Sequence, residues 1–97
     1  MKNNSFHPGQ TRVEIGRVRT IYNAALTCNV FIDGSNLKDF VNGEGFVTYL
    51  PDGYHVFQVY GNGGMDEVTV CCNGSDVCIE IGVTRSIWRP RFAISQV

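Results

Sequence analysis

Residues 46–60 read Phe46-Val47-Thr48-Tyr49-Leu50-Pro51-Asp52-Gly53-Tyr54-His55-Val56-Phe57-Gln58-Val59-Tyr60. Two alternating runs flank a Pro-Asp-Gly turn. Successive side chains of a strand point to opposite faces. Phe46, Thr48 and Leu50 therefore share one face of the first run, and Val47 and Tyr49 the other. In the second run His55, Phe57 and Val59 share a face, with Tyr54, Val56, Gln58 and Tyr60 opposite. Leu50-Pro51-Asp52-Gly53 has Pro second and Gly fourth, the pattern of a tight turn. The stretch is strand, turn, strand.

The same texture continues in both directions. Upstream, Thr11 to Tyr22, Leu26 to Ile32 and Leu37 to Val41 read as strands. The alternation of the first slips near Gly16, which suggests a bulge or a split there. Asp33-Gly34-Ser35-Asn36 and Asn42-Gly43-Glu44-Gly45 are turn signals, and Asp33-Gly34 supplies the positive φ angles of a hairpin. Downstream, Gly61-Asn62-Gly63-Gly64 reads as the most flexible loop of the chain. Glu67 to Cys72 and Val77 to Val83 then read as a hairpin closed by Asn73-Gly74-Ser75-Asp76. A last strand from Ile87 to Ile94 is interrupted by Pro90, as an edge or bent strand is. Residues 1–10 are polar up to Pro8-Gly9 and read as a flexible arm, leaving 11–97 as the folded domain.

Composition agrees. The chain has 97 residues, with 25 Val, Ile and Thr against six Leu and Ala, and 11 Gly. That balance is β-protein. A chain of 10.8 kDa buries roughly two thirds of its unfolded surface, enough for one core and no second domain. Short strands at this spacing predict an all-β fold, an antiparallel β-sandwich of seven or eight strands.

Eight Lys and Arg against nine Asp and Glu leave a net charge of -1. Polyanion binders carry a basic excess, so nucleic acid is disfavoured as a partner. No apolar run reaches the roughly 18 residues of a membrane span. Lys2 is followed by no apolar h-region, so the start is not a signal peptide and the cytoplasm is the expected location, a missing leader being the alternative.

Val30-Phe31-Ile32-Asp33-Gly34, a short strand, and then Leu50-Pro51-Asp52-Gly53-Tyr54-His55-Val56-Phe57-Gln58-Val59 resembles PEGA-like domains and related small β-sandwich domains of bacterial proteins. Their pattern is a strand ending in V-x-I/V-D-G, a return strand, and L-x-x-G-x-H-x-(apolar)-x-V. The resemblance covers Val30 to Cys72; the family's P-G-E-H-like signature is replaced by Asp52-Gly53-Tyr54-His55. It implies a small antiparallel sandwich of immunoglobulin or PEGA-like type, used as a binding or surface module, and carries over no catalytic residue. His55 shares a face with Phe57 and Val59 and is expected at the edge of the core, bonded to a backbone carbonyl.

Four cysteines stand at 28, 71, 72 and 78. There is no C-x-x-C pair, and the spacing matches no zinc knuckle. In the hairpin reading Cys72 faces Val77 on the apolar side and Cys71 faces Cys78 on the other. Cross-strand Cβ atoms lie about 4.5–5.5 Å apart, so Cys71 and Cys78 are expected to be neighbours. Three readings follow: two reduced thiols, a Cys71–Cys78 disulfide, or a metal site shared across a dimer. Cys28 and Cys72 read as core fillers.

Two surfaces are candidates for a partner. Tyr49, Tyr54 and Tyr60 form an aromatic group, Tyr49 meeting Tyr54 across the Pro51 turn. The Arg85–Arg91 edge, with Trp88, Arg89 and Arg91, combines Arg with aromatics, as interface hot spots do. Arg12, Arg17 and Arg19 would extend it if the first and last strands are neighbours. No carboxylate pair, G-x-S-x-G or phosphate loop stands out. The sequence therefore reads as a non-catalytic binding or assembly module, with no cofactor, engaging a protein partner or itself. Carbohydrate binding by the exposed tyrosines, and thiol chemistry at Cys71 and Cys78, are the alternatives.

Overall fold

The computed structural model describes residues 8–21, 23–84 and 91–97. Among these lie eight strands and no helix: β1 (Gln10–Arg17), β2 (Cys28–Ile32), β3 (Ser35–Phe40), β4 (Gly45–Pro51), β5 (Gly53–Gly61), β6 (Gly64–Cys72), β7 (Val77–Thr84) and β8 (Arg91–Gln96). They form two four-stranded sheets, ordered β4-β1-β7-β8 and β3-β2-β5-β6. The all-β, sandwich-like arrangement follows from the strand pattern. Among the described residues no helix is long and apolar enough to cross a membrane.

One core fills the space between the sheets. Val13, Ile15, Val77, Ile79, Ile81, Phe92 and Ile94 come from the first sheet. Cys28, Val30, Ile32, Phe40, Phe57, Val59, Val70 and Cys72 come from the second. Each contributes because alternation turns every second residue inward; burying such a side chain stabilises by about 1.5–3 kcal/mol. Cys28 and Cys72 are core fillers, and burial pushes both thiols up from their ordinary pKa.

The connections differ from the sequence reading in four places. Pro51-Asp52-Gly53 is not a hairpin: β4 pairs with β1 and β5 with β2 and β6, so the chain changes sheet at Asp52. Asn73 to Asp76 is not a hairpin turn either, since β7 pairs with β1 and β8. Buried Thr11 of β1 ties down both crossings. Its hydroxyl donates to Asp52 Oδ1 at 3.0 Å and accepts from the Gly74 N–H at 2.8 Å. The β1–β7 ladder is parallel, an exception to the all-antiparallel expectation. A parallel pair needs a long crossover, and the chain between β1 and β7 supplies one. Fourth, Gly61-Asn62-Gly63-Gly64 is a tight turn with Asn62 and Gly63 at positive φ, which joins Gly61 to Gly64 in register. It belongs to β5 and β6, whose register it fixes.

Gly16 lies inside an uninterrupted β1; the irregular register falls between Val30 and Phe31 of β2. Gln10 already belongs to β1, and residues 1–7 of the expected arm lie outside the described residues.

Edges β6 and β8 approach each other and are bridged by one inward carboxylate. Asp66 Oδ2 accepts the Ile94 N–H at 3.0 Å. An inward charge on an edge strand discourages pairing with another chain. Asp66→Ala is expected to lower stability by about 1.5 kcal/mol and to promote association. Urea titration and sedimentation at several concentrations check this; an unchanged midpoint and monomeric sedimentation would contradict it.

Candidate functional site

The sandwich splits the tyrosines. Tyr54 and Tyr60 lie on the outer face of β5, in register with Cys71 and Met65 of β6. Tyr49 lies on β4, in the other sheet, in register with Arg12 of β1. The expected contact of Tyr49 with Tyr54 is therefore not made, because the chain changes sheet between them. Tyr54 is 76% exposed and Tyr60 38%. On that outer face Phe31 of β2 meets Tyr60 edge-on, ring centroids 5.2 Å apart. Gln58 Nε2 donates to Glu67 Oε1 at 2.9 Å, separating the Tyr60 end from the Tyr54 end.

The Tyr60 end opens into a cleft of about 580 Å³ lined by Tyr60, Gly61, Gly63, Gly64, Met65 and Arg91. A hollow of about 250 Å³ also uses Met65 and Arg91, together with Asp66 and Phe92. Two glycines shape the floor. A Cβ on Gly61 would lie 2.7 Å from the Phe92 ring, and one on Gly64 would lie 3.1 Å from Arg91 Nη2. Arg91 therefore rests on bare backbone. One residue from each predicted surface, Tyr60 and Arg91, meets here. Phe31 and Met65 complete the site and were not singled out from sequence. The Asn62-Gly63 turn was the available signal, since it places Met65 opposite Tyr60.

Trp88 and Arg89, with Arg85, lie outside the described residues. The proposed extension by Arg12, Arg17 and Arg19 is not formed, because β7 stands between β1 and β8. Arg12 instead lies near Glu14 and Asp76, at 3.5 and 3.6 Å. Arg17 is buried. Its Nη1 donates to the Leu26 and Phe40 carbonyls, both at 2.7 Å, and its Nη2 to the Asn23 carbonyl at 2.9 Å. The guanidinium also stacks on Phe92, 4.8 Å from the centroid.

Cys71 and Cys78 are free, exposed thiols on different sheets, and they are not neighbours. Cys71 is in register with Tyr54 and Cys78 with Glu14. The hairpin that would have paired them does not exist, so the predicted cross-strand thiol pair is corrected. Among the described residues no cluster of His, Cys, Asp or Glu could hold a metal.

His55 bonds a carbonyl as its register suggests, and a carboxylate as well. Nε2 lies 2.6 Å from the Pro51 carbonyl and Nδ1 2.6 Å from Asp33 Oδ2. A carbonyl and a carboxylate only accept, so both bonds are made together only when both ring nitrogens carry a proton, as in the imidazolium. Asp33 Oδ1 also accepts the Val56 N–H at 2.9 Å. The Asp33 bond, chiefly, raises the His55 pKa; the His55 bond lowers that of Asp33. The raised histidine stabilises the fold fully below its unfolded pKa, about 6.5, and that contribution is lost as pH rises through the folded value. The depressed carboxylate contributes above its unfolded pKa, about 3.9, and is lost as pH falls through its folded value. Thermal midpoints are therefore expected to be highest between about pH 4 and 6.5 and to fall by a few degrees above it. His55→Gln should remove the alkaline fall; a wild-type midpoint constant from pH 6 to 9 would contradict the clip.

No family model, no curated protein and no solved structure matches this chain.

Proposed function

We propose that this chain is a non-catalytic binding or assembly module that engages a protein partner, or a second copy of itself, through the Tyr60 end of the β3-β2-β5-β6 outer face. The observation that carries the reading is the convergence of exposed Tyr60, Met65 and Arg91 on one cleft. Aromatic, Met and Arg side chains are the residues enriched where interfaces concentrate their energy. In this reading the domain is an immunoglobulin-like or PEGA-like sandwich that works in the cytoplasm without a cofactor.

Affinity capture tests it. Tyr60→Ser is expected to lose at least tenfold of whatever the wild-type chain retains, whether a partner or its own copy by sedimentation. Val47→Ser, on the opposite face, should retain it. Equal retention by both would overturn the reading.

A carbohydrate-binding reading has one observation of its own. Tyr54 and Tyr60 stand on the same outer face, about 20 Å apart along the strand, and exposed rings stack on sugars. Sugar retention on a glycan array that disappears in Tyr54→Ala would favour it. The thiol reading has lost its pair, since Cys71 and Cys78 belong to different sheets.

A further inference from the structure

The Tyr60 cleft holds a cation that no described carboxylate pairs with. The ion pairs among the described residues involve Arg12, Lys38 and His55, not Arg91. Asp66, which lines the neighbouring hollow together with Arg91, gives its Oδ2 to the Ile94 N–H, and Glu67 accepts from Gln58. Arg91 is also positioned. Its Nη2, Nε and Cζ lie 3.1, 3.2 and 3.5 Å from where a Gly64 Cβ would be, so the fork lies close against the bare Gly64 backbone. The walls beside it, Tyr60 and Met65, are apolar and exposed.

We infer that this cleft receives a carboxylate from a protein partner, set beside an apolar side chain. The carboxylate meets the Arg91 fork, which matches it with two parallel N–H donors. The apolar group lies between Tyr60 and Met65. The inference rests on the binding-module reading above and adds the chemistry of what is bound. Charge complementarity selects the occupant: an unpaired guanidinium on an apolar floor favours an acidic–apolar pair over a neutral or basic one.

Three small probes test it on the intact chain by two-dimensional NMR: 3-phenylpropionate, its neutral amide, and inorganic phosphate. The acid is expected to shift Tyr60, Gly61, Gly63, Gly64, Met65 and Arg91, and to bind about fivefold more tightly than the amide, the gain of one exposed Arg–carboxylate pair. Arg91→Gln should bring the acid down to the amide's affinity while leaving the remaining spectrum unchanged. Equal binding of acid and amide at this cleft would overturn the carboxylate while the Tyr60 face survived. Phosphate bound more tightly than the acid would reassign the site to phosphate. Absence of shifts with all three would overturn the inference, and the Tyr60→Ser capture would then decide the face independently.

Discussion

Arg17→Met is expected to lower the stability of this domain by about 3–4 kcal/mol, a large part of the 5–15 kcal/mol typical of a folded chain. The side chain is only 3% exposed, and its partners are three main-chain carbonyls and the Phe92 ring. Methionine of similar length fills the space but donates nothing. A buried side-chain pair can be replaced at both ends by apolar groups; backbone carbonyls cannot be removed. The Leu26 carbonyl is then left without a donor, at about 1–3 kcal/mol, less where water reaches it, while the Asn23 carbonyl keeps the Leu26 N–H and the Phe40 carbonyl the weak Cys28 thiol contact. The clamp also organises the chain between β1 and β2, because Asn23 and Leu26 lie in that segment while Phe40 ends β3. Arg17→Lys, with charge kept but the planar fork lost, should lie about halfway. Urea unfolding measures all three chains. A loss under 1 kcal/mol in Arg17→Met would mean that the carbonyls are satisfied without the guanidinium.

The second large effect is expected at Gly61. Its absent side chain is occupied by the Phe92 ring, with two ring carbons 2.7 and 2.8 Å from where a Cβ would stand. Phe92 is a core residue, 5% exposed, and cannot swing away cheaply. Gly61→Ala should therefore cost about 2 kcal/mol by overpacking. Smaller Leu at position 92 should absorb part of that cost, so Gly61→Ala and Phe92→Leu together should lose less than the sum of the two. Strict additivity would show that the two positions do not touch. The same substitution disturbs the floor of the Tyr60 cleft, linking packing to the proposed binding surface.

Much of the fold was legible because alternation is a strong local signal. The runs at Cys28–Ile32, Gly53–Gly61 and Val77–Thr84 needed only the period of two and the residues that break it. What the sequence did not disclose was which strands pair. Asn73-Gly74-Ser75-Asp76 has hairpin chemistry and yet carries the chain between sheets, held by a Thr11 hydroxyl from a strand far away in sequence. Turn residues report local backbone angles, not the partner of the next strand. That one error carried the expected Cys71–Cys78 neighbourhood with it, and the same misreading at Asp52 joined Tyr49 to Tyr54. Arg17 was misread for a different reason. Charged residues are rarely buried, and nothing near it in sequence shows three carbonyls converging from elsewhere. Tyr60 and Arg91 were found separately; that they share a cleft depends on β6 and β8 meeting across the open side of the sandwich.

The binding face is tested most directly by photo-crosslinking. Benzoylphenylalanine in place of Phe31 stands beside Tyr60 on the outer face of the β3-β2-β5-β6 sheet. The same group in place of Val47 stands on the outer face of the other sheet, opposite Glu14. Irradiated under native conditions, the first chain is predicted to form discrete adducts, with a partner or with its own copy, that Tyr60→Ser abolishes. The second is predicted to form none. Adducts from position 47 alone, or equal yields from both positions, would contradict the assignment of function to the Tyr60 face.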